Sequence, residues 1–337
     1  MRLLAIADSH FGYESGKTAD ARKYIYESMF KKFEKIIADA KNHKVDTILH
    51  AGDLFNRSKP RKKVVQRVYE LIERIVLDDF NFLVIPGNHE RAKLPTSLLN
   101  FHKNCHFFNK LEKIEFDQYS IVGFPFIREN PQKVENKIQK LFSGSTKKPN
   151  MVLCHQLFEG ATYGPHQFTF RKHHGAIEIT QAFNAVDLII TGHIHRAQVL
   201  ADGQVVYPGS IERTSFVESI EPKGYLLIDI EENFLKLQFH QTTAMPMDVI
   251  ELDILNKEID YDLLQSKIKS GLHRSLLRFT GRNLSTDELE SISTYFPYQE
   301  YPLLVIRPQF VEQKLKPLYD RCVSFNFPSL IKKIKRE

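Results

Sequence analysis

The chain reads as an α/β protein with two units, a larger one of alternating strands and helices and a smaller α/β unit after it. Three observations predict this. Short apolar runs rich in β-branched residues alternate with longer helical patterns through residue 200. From "VVYPGS" onward the pattern becomes strand after strand, as expected of an antiparallel edge that closes a domain. Around "QTTAMPMD" (241–248) the texture changes, and Pro246 marks a linker between a domain at 1–243 and one at 248–337.

The elements follow in order. Strands are expected at 2–6 ("RLLAI"), 46–50 ("DTILH"), 82–85 ("FLVI"), 119–123 ("YSIVG"), 151–154 ("MVLC") and 186–190 ("VDLII"). Between the first two, Ile25, Phe30, Phe33, Ile36, Ile37 and Ala40 recur at helical spacing and predict an amphipathic helix over 24–40. "GYLLIDI" and "FLKLQF" complete the strands of the first unit. The second unit has a strand "VIELDIL", a helix "YDLLQSKIKSGL", a strand "SLLRFTG", a helix capped at "STDE" and a strand "PLLVIRP". Ser285 and Glu288 have the spacing of a capping box. The basic tail "SLIKKIKRE" reads as a solvated last helix.

Composition sets limits. With 337 residues, 42% of them hydrophobic, the chain can bury a sizeable core. A formal charge of +6, from 47 basic and 41 acidic residues, is a mild excess that suits an approach to polyanions. Cys105, Cys154 and Cys322 are too few and too irregularly placed for a disulfide framework or a zinc ribbon, and read as reduced thiols of a cytoplasmic protein. Asp8 interrupts the apolar N-terminus where a signal peptide would continue. No run reaches the ~18 apolar residues of a membrane span.

The polar signals of the first unit all fall directly after predicted strands. They are Asp8-Ser9-His10, Gly52-Asp53, Gly87-Asn88-His89-Glu90, His155 and Gly192-His193-Ile194-His195. Because α/β sheets place their sites at strand C-termini, five distant segments are expected to converge on one rim. Asp, Asn and His offer oxygen and neutral imidazole without thiolate, which suits Mn²⁺, Fe²⁺ or Zn²⁺. Seven such donors exceed one transition metal and match two that share a carboxylate. The adjacent glycines are expected to allow tight turns. Any one motif alone is weak, since the chain has 14 histidines. The set of five in this order is specific.

This pattern of D-x-H, G-D, G-N-H-E, H and G-H-x-H resembles the calcineurin-like metallophosphoesterases. "HAGDLFN", "CHQ" and above all "YPGSIERTSFVESIEPKGYLLIDI" (207–230) look like the SbcD/Mre-type DNA double-strand-break repair nucleases. The resemblance covers about residues 1–240 and implies a metallophosphoesterase-type β-sandwich flanked by helices, with 248–337 as a smaller α/β capping domain. It implies two divalent ions, Mn²⁺ first, one held by Asp8, His10 and His195 and the other by Asn88, His155 and His193, with Asp53 bridging. His89 would face the scissile phosphate as a catalytic residue. It further implies DNA as substrate, a homodimer formed through helices near "VVQRVYELIERI" (64–75) and "SLLNFHKN" (97–104), and an SMC-like ATPase partner of the SbcC type.

One position departs from the family pattern. Where a histidine commonly follows "GDLF", this chain has Asn56, whose amide can donate to phosphate but cannot titrate near neutrality. Hydrolysis is expected to survive, with end-directed exonuclease action in question. His50 reads as a packed core histidine. Basic residues beside the motifs, Arg57, Lys59, Arg61, Lys62, Arg91, Lys93, Arg171 and Lys172, are candidate phosphate contacts. "YGPHQFTF" (163–170) offers rings for unpaired bases. Two rival readings keep the fold: another phosphodiester or phosphomonoester as substrate, or a non-catalytic scaffold.

Overall fold

The computed structural model describes residues 1–91, 93–95, 102–142, 148–164, 167–171, 175–180, 183–232, 234–307 and 330–333. The first sheet begins with four parallel strands in sequence order: β1 (Arg2–Ile6), β2 (Thr47–His50), β3 (Asn81–Val84) and β4 (Cys105–Phe107). The chain then builds a second sheet from β5 (Glu112–Glu115), β6 (Ser120–Gly123), β7 (Asn150–Cys154), β8 (Leu188–Thr191), β9 (Gln198–Leu200) and β10 (Val205–Tyr207). Its order is β9-β10-β8-β7-β6-β5. It returns to the first sheet with β11 (Lys223–Ile230), antiparallel beside β1, and β12 (Phe234–Thr242) beyond it.

Strand alternation explains how the layers hold together. Leu3, Ala5, Leu49 and Leu83 of the first sheet meet Ile121, Met151, Leu153 and Ile190 of the second in one buried cluster. Their neighbours Leu4, Ile6, Ile48 and Phe82 point outward onto the helices α1 (Ala19–Asn42) and α2 (Lys62–Leu77). On the opposite side Val122, Val152 and Ile189 pack against α3 (Glu135–Phe142). The result is a sandwich with helices on both outer faces.

Two expectations change here. Helix α1 starts five residues before the predicted 24, because Thr18 caps it by accepting from the Ala21 N–H at 3.2 Å. The α2 face offered for dimerisation is already used: Val68, Leu71, Ile72 and Ile75 are buried in their own domain, and Val65 packs beside them. Burial in the domain core takes precedence, so this face is not free to pair two subunits. Residues 97–101 of the second proposed patch lie outside the described residues.

The smaller unit holds β13 (Met247–Asp253), β14 (Arg274–Thr280) and β15 (Leu304–Arg307) as a parallel sheet in that order. Helices α4 (Tyr261–Lys267) and α5 (Thr286–Tyr295) cover one face around Ile250, Leu264, Leu277, Phe279 and Ile292. The capping box forms: Ser285 Oγ accepts from Glu288 N at 3.2 Å, and Glu288 Oε2 accepts from Ser285 N at 2.9 Å. The linker is pinned. Met245 is buried, its N–H donates to Glu212 at 2.9 Å, and its carbonyl accepts from Arg213 at 3.0 Å.

The tail also differs from expectation. Leu330–Lys333 forms β16, antiparallel to β12 at the open edge of the first sheet, where a helix was predicted. A sheet edge with unpaired backbone groups overrides the weak helical pattern of so short a segment. Residues 334–337 and Cys322 lie outside the described residues. No helix among the described residues is long and apolar enough to cross a membrane.

Candidate metal centre

β1, β2 and β3 of one sheet and β7 and β8 of the other end at the same rim, and each delivers its polar motif there. Backbone bonds stitch the first two loops together: Asp8 N donates to Gly52 O and His10 N to Asp53 O, both at 3.0 Å. The donor-bearing residues themselves take unusual backbone angles. Asp8 (φ 51°), His10 (45°), Asp53 (52°) and His193 (83°) all lie in the left-handed region. The glycines mainly serve another purpose than turning. A Cβ on Gly87 would come within 2.2 Å of Asp53 Oδ1, and one on Gly192 within 2.2 Å of the Ala51 carbonyl. Only Gly52, at φ +89°, also needs its conformational freedom.

The side chains converge tightly. His155 Nε2 lies 3.4 Å from Asp53 Oδ2 and 4.0 Å from Asp8 Oδ1. His10 Nε2 is 3.9 Å from Asp53 Oδ2, and His195 Nε2 is 3.9 Å from Asp8 Oδ1. Asn88 Oδ1 sits 2.9 Å from His155 Nε2 and 2.8 Å from His193 Nδ1. Three overlapping sets of side chains could each hold an ion: Asp8, His10 and His195; His10, Asp53 and His89; and Asp8, Asp53 and His155. All seven donors named from the sequence therefore meet in one place.

The donor chemistry fits divalent cations. When His155 gives its Nδ1 proton to the Ala51 carbonyl at 2.8 Å, the neutral ring turns an Nε2 lone pair toward the Asn88 oxygen. His195 does the same with Nδ1 on Glu218 Oε1 at 3.1 Å, which leaves its Nε2 facing His10 Nε2 at 3.0 Å. Lone pairs opposed at these distances need a proton or a cation between them. The electrostatics agree. Burial alone would lower His155, but Asp53 and Asp8 carry it up to about 9. Burial would raise Asp53, yet His155, His10 and His89 hold it well below the usual carboxylate range. Burial and the charge of His155 push His193 down to about 3. A cation that displaces the His155 proton makes affinity rise with pH.

Structure adds two supporting carboxylates that sequence reasoning did not assign. Glu90 is buried and ties two loops together, accepting from Phe55 N at 2.6 Å and Gly87 N at 2.8 Å. Burial and the nearby Asp53 push it up to about 8. Glu218 orients His195 and is itself gripped by Lys223, a fully buried lysine. Lys223 Nζ donates to Glu218 Oε2 at 2.6 Å, Ser210 Oγ at 2.9 Å and the His195 carbonyl at 2.9 Å, so all three protons are used. These residues come from the stretch at 207–230. Its sequence signal was a lysine opening a mostly apolar strand, just after Glu218 and Glu221.

Lys223→Met should therefore cost the fold about 3–5 kcal/mol, because it strands a buried carboxylate. Urea unfolding of the metal-free protein measures this. A loss under about 1 kcal/mol would show that Glu218 finds its charge balance elsewhere.

His89 stands at the rim, its side chain 40% exposed, with Nε2 3.8 Å from Asp53 Oδ2 and Nδ1 2.9 Å from the Asn56 carbonyl. Asn56 is thus beside the site, and its backbone orients His89 whatever its side chain does. His50 is fully buried against Ser9 Oγ at 2.8 Å. Arg57, Lys59, Lys62, Arg91, Lys93 and Arg171 are exposed. Arg61 is exposed too but paired with Glu14 at 2.7 Å. Lys172 lies outside the described residues.

Comparison with known proteins adds an independent line. The profile of the calcineurin-like phosphoesterases matches residues 1–197. The chain is similar to the SbcD component of the nuclease SbcCD from Staphylococcus epidermidis, at 25% identity over 88% of this chain and 83% of that protein. It is also similar to the DNA double-strand break repair protein Mre11 of Methanosarcina acetivorans, at 24% identity over 90% of this chain and 48% of the relative, so it spans about half of that protein's length. Among solved structures, a dimetal phosphatase from Danio rerio matches 72% of this chain and 96% of its own, with 11% identity and a TM-score of 0.45.

Proposed function

Since this chain belongs to the calcineurin-like phosphoesterase family, we propose that it is a metal-dependent nuclease that hydrolyses phosphodiester bonds of DNA in repair or end processing. The observation that carries the reading is the convergence of Asp8, His10, Asp53, Asn88, His155, His193 and His195 at one rim. The SbcD and Mre11 relatives favour DNA over other diesters. One ion would be held by Asp8, His10 and His195 and the other by Asn88, His155 and His193, with Asp53 between them; Mn²⁺ is the ion proposed, and the mix of oxygen and imidazole donors also admits Fe²⁺ or Zn²⁺. Such a pair supplies an activated water and neutralises charge on the diester oxygens.

The chain's own residues do the rest. His89, held by the Asn56 carbonyl, faces the phosphate and can donate a proton to the leaving oxygen. Exposed Arg57, Lys59, Lys62, Arg91, Lys93 and Arg171 hold the DNA backbone. Residues 248–337 act as the capping domain, a cytoplasmic SMC-like ATPase of the SbcC type is the expected partner, and any homodimer must use a surface other than the buried α2 face. Labelled single-stranded, duplex and hairpin DNA, incubated with Mn²⁺ and with a chelator, tests the reading. Metal-dependent cleavage is expected. Hydrolysis of a simple aryl diester with no cleavage of any DNA would move the protein to another substrate class.

Asn56 gives a sharper expectation. The wild type should cut single-stranded or looped DNA internally and degrade blunt duplex ends poorly. Asn56→His keeps the backbone carbonyl that positions His89, so it changes only the side chain. It should raise blunt-end degradation relative to internal cleavage by ~10-fold or more, with a pH dependence in the imidazole range. Efficient blunt-end degradation by the wild type, unchanged in the variant, would remove position 56 from specificity.

A further inference from the structure

Next to the metal residues lies a cavity of about 330 Å³ whose walls include Tyr163, His193, His195, Arg196, Thr214 and Ser215. We propose that it is a nucleobase subsite in which the base adjoining the scissile phosphate stacks on Tyr163. This rests on the nuclease reading above and names the part of the substrate that the cavity holds.

Three observations carry it. The first is continuity. His193 and His195 belong both to the donor cluster and to the cavity wall, so a phosphate placed at the donors leaves its own nucleoside at the cavity mouth.

The second is rigid display of an exposed ring. Tyr163 is 46% exposed on the short strand Thr162–Tyr163, which pairs with Phe168–Thr169. That strand is braced from below. Thr162 N donates to Gln198 Oε1 at 2.8 Å and Gln198 Nε2 donates back to Thr162 O at 2.9 Å. Arg196 adds bonds to Thr162 Oγ1 at 3.2 Å and Gly164 O at 2.6 Å. The Tyr163 ring lies 6.3 Å from Phe170, which packs on the outer core cluster. The ring is thus presented from a fixed backbone, so a flat ligand that covers it has only the side-chain freedom of one tyrosine to restrict.

The third is the chemistry of the walls. The Arg196 guanidinium is taken up by Glu221 at 2.9 Å and by the strand it braces. Glu218 is paired with His195 and Lys223, and Glu221 with Arg196. The charges are balanced among themselves and the Thr214 hydroxyl is given to Glu218 at 3.0 Å, leaving the Tyr163 ring, the apolar Ile194 and Val217 and the Ser215 hydroxyl oxygen, which already accepts from Val217 N, as the walls. Such walls suit a flat, neutral group with polar edges and disfavour a second phosphate. Stacking reads every base alike, so the subsite adds affinity without dictating sequence.

The test compares wild type, Tyr163→Ala and Tyr163→Phe on a single-stranded oligonucleotide and on the same strand with one abasic position beside the cleavage point. On the intact strand Tyr163→Ala should raise KM by about tenfold, the worth of one base–aromatic stack, and Tyr163→Phe should restore it. Removing the base should cost the wild type a similar factor, and the two losses should not add, since both delete the same contact. Binding of a 2-aminopurine-labelled strand to metal-free protein gives a readout without turnover: quenching is expected with wild type and Tyr163→Phe and not with Tyr163→Ala. Additive losses, or Tyr163→Ala equal to wild type on the intact strand, would overturn the subsite while leaving the nuclease reading in place. A wild type that neither cleaves nor binds any DNA would overturn both.

Discussion

Asp53→Ala is expected to abolish hydrolysis and the paired binding of metal together. The carboxylate lies within 3.4–3.9 Å of three imidazoles, those of His155, His89 and His10, and its other oxygen accepts from His89 N at 2.9 Å. It stands at the centre of the donor cluster. Outer residues that merely orient a ligand are worth 10–100-fold in metal affinity, so loss of the shared carboxylate should cost at least ~100-fold. Manganese titration calorimetry and elemental analysis measure it. Asp53→Asn serves as the partner variant, since it preserves volume and the bond from His89 N while removing the charge. Two ions retained with wild-type affinity in both variants would show that Asp53 does not bridge.

His89→Ala should separate chemistry from binding, lowering turnover by ~10²–10⁴-fold with both ions and DNA affinity retained. The geometry makes this a real choice between roles. His89 Nε2 is as close to Asp53 as that of His10, and the three form one of the sets able to hold an ion. Yet His89 is the exposed member, while Asp53 and His10 are buried. An ion lost along with activity would make it a ligand, and unimpaired cleavage would remove it from the reaction.

The convergence of these residues could be read from the sequence because each follows an apolar run that ends at a common rim. Strand position and residue type were enough to expect the convergence, and the resemblance supplied the assignment of each residue to an ion. What stayed hidden depends on contacts across the chain. The runs "TILH" and "NMVLC" are buried on both faces, so nothing local says that one belongs to the first sheet and the other to the second. Glu218 and Lys223 acquire meaning only when β11 lies beside β1 with Lys223 at its start, and the short helical turn Phe216–Glu218 before it sets Glu218 against His195. The glycines were assigned to turning, whereas Gly87 and Gly192 are small because Asp53 and Ala51 press against them. Leu330–Lys333 became a strand because an edge was waiting about 90 residues upstream, a distance no periodicity can span.

The left-handed backbone at Asp8, His10, Asp53 and His193 sets folding and chemistry against each other. Each such residue costs on the order of 1 kcal/mol relative to a glycine in its place, and each belongs to the converging cluster. Substitution toward glycine at these positions relaxes the chain while erasing the donor. If these residues hold the proposed metals, losing them would leave the packed layers intact, since the clusters that fill the sandwich contain none of the four. A descendant that had become a pure binding scaffold would betray its history by empty donor positions inside an intact shell. Conversely, all seven converging residues are present here, four of them on backbone that glycine would adopt more easily, as the proposed metal-dependent hydrolysis requires.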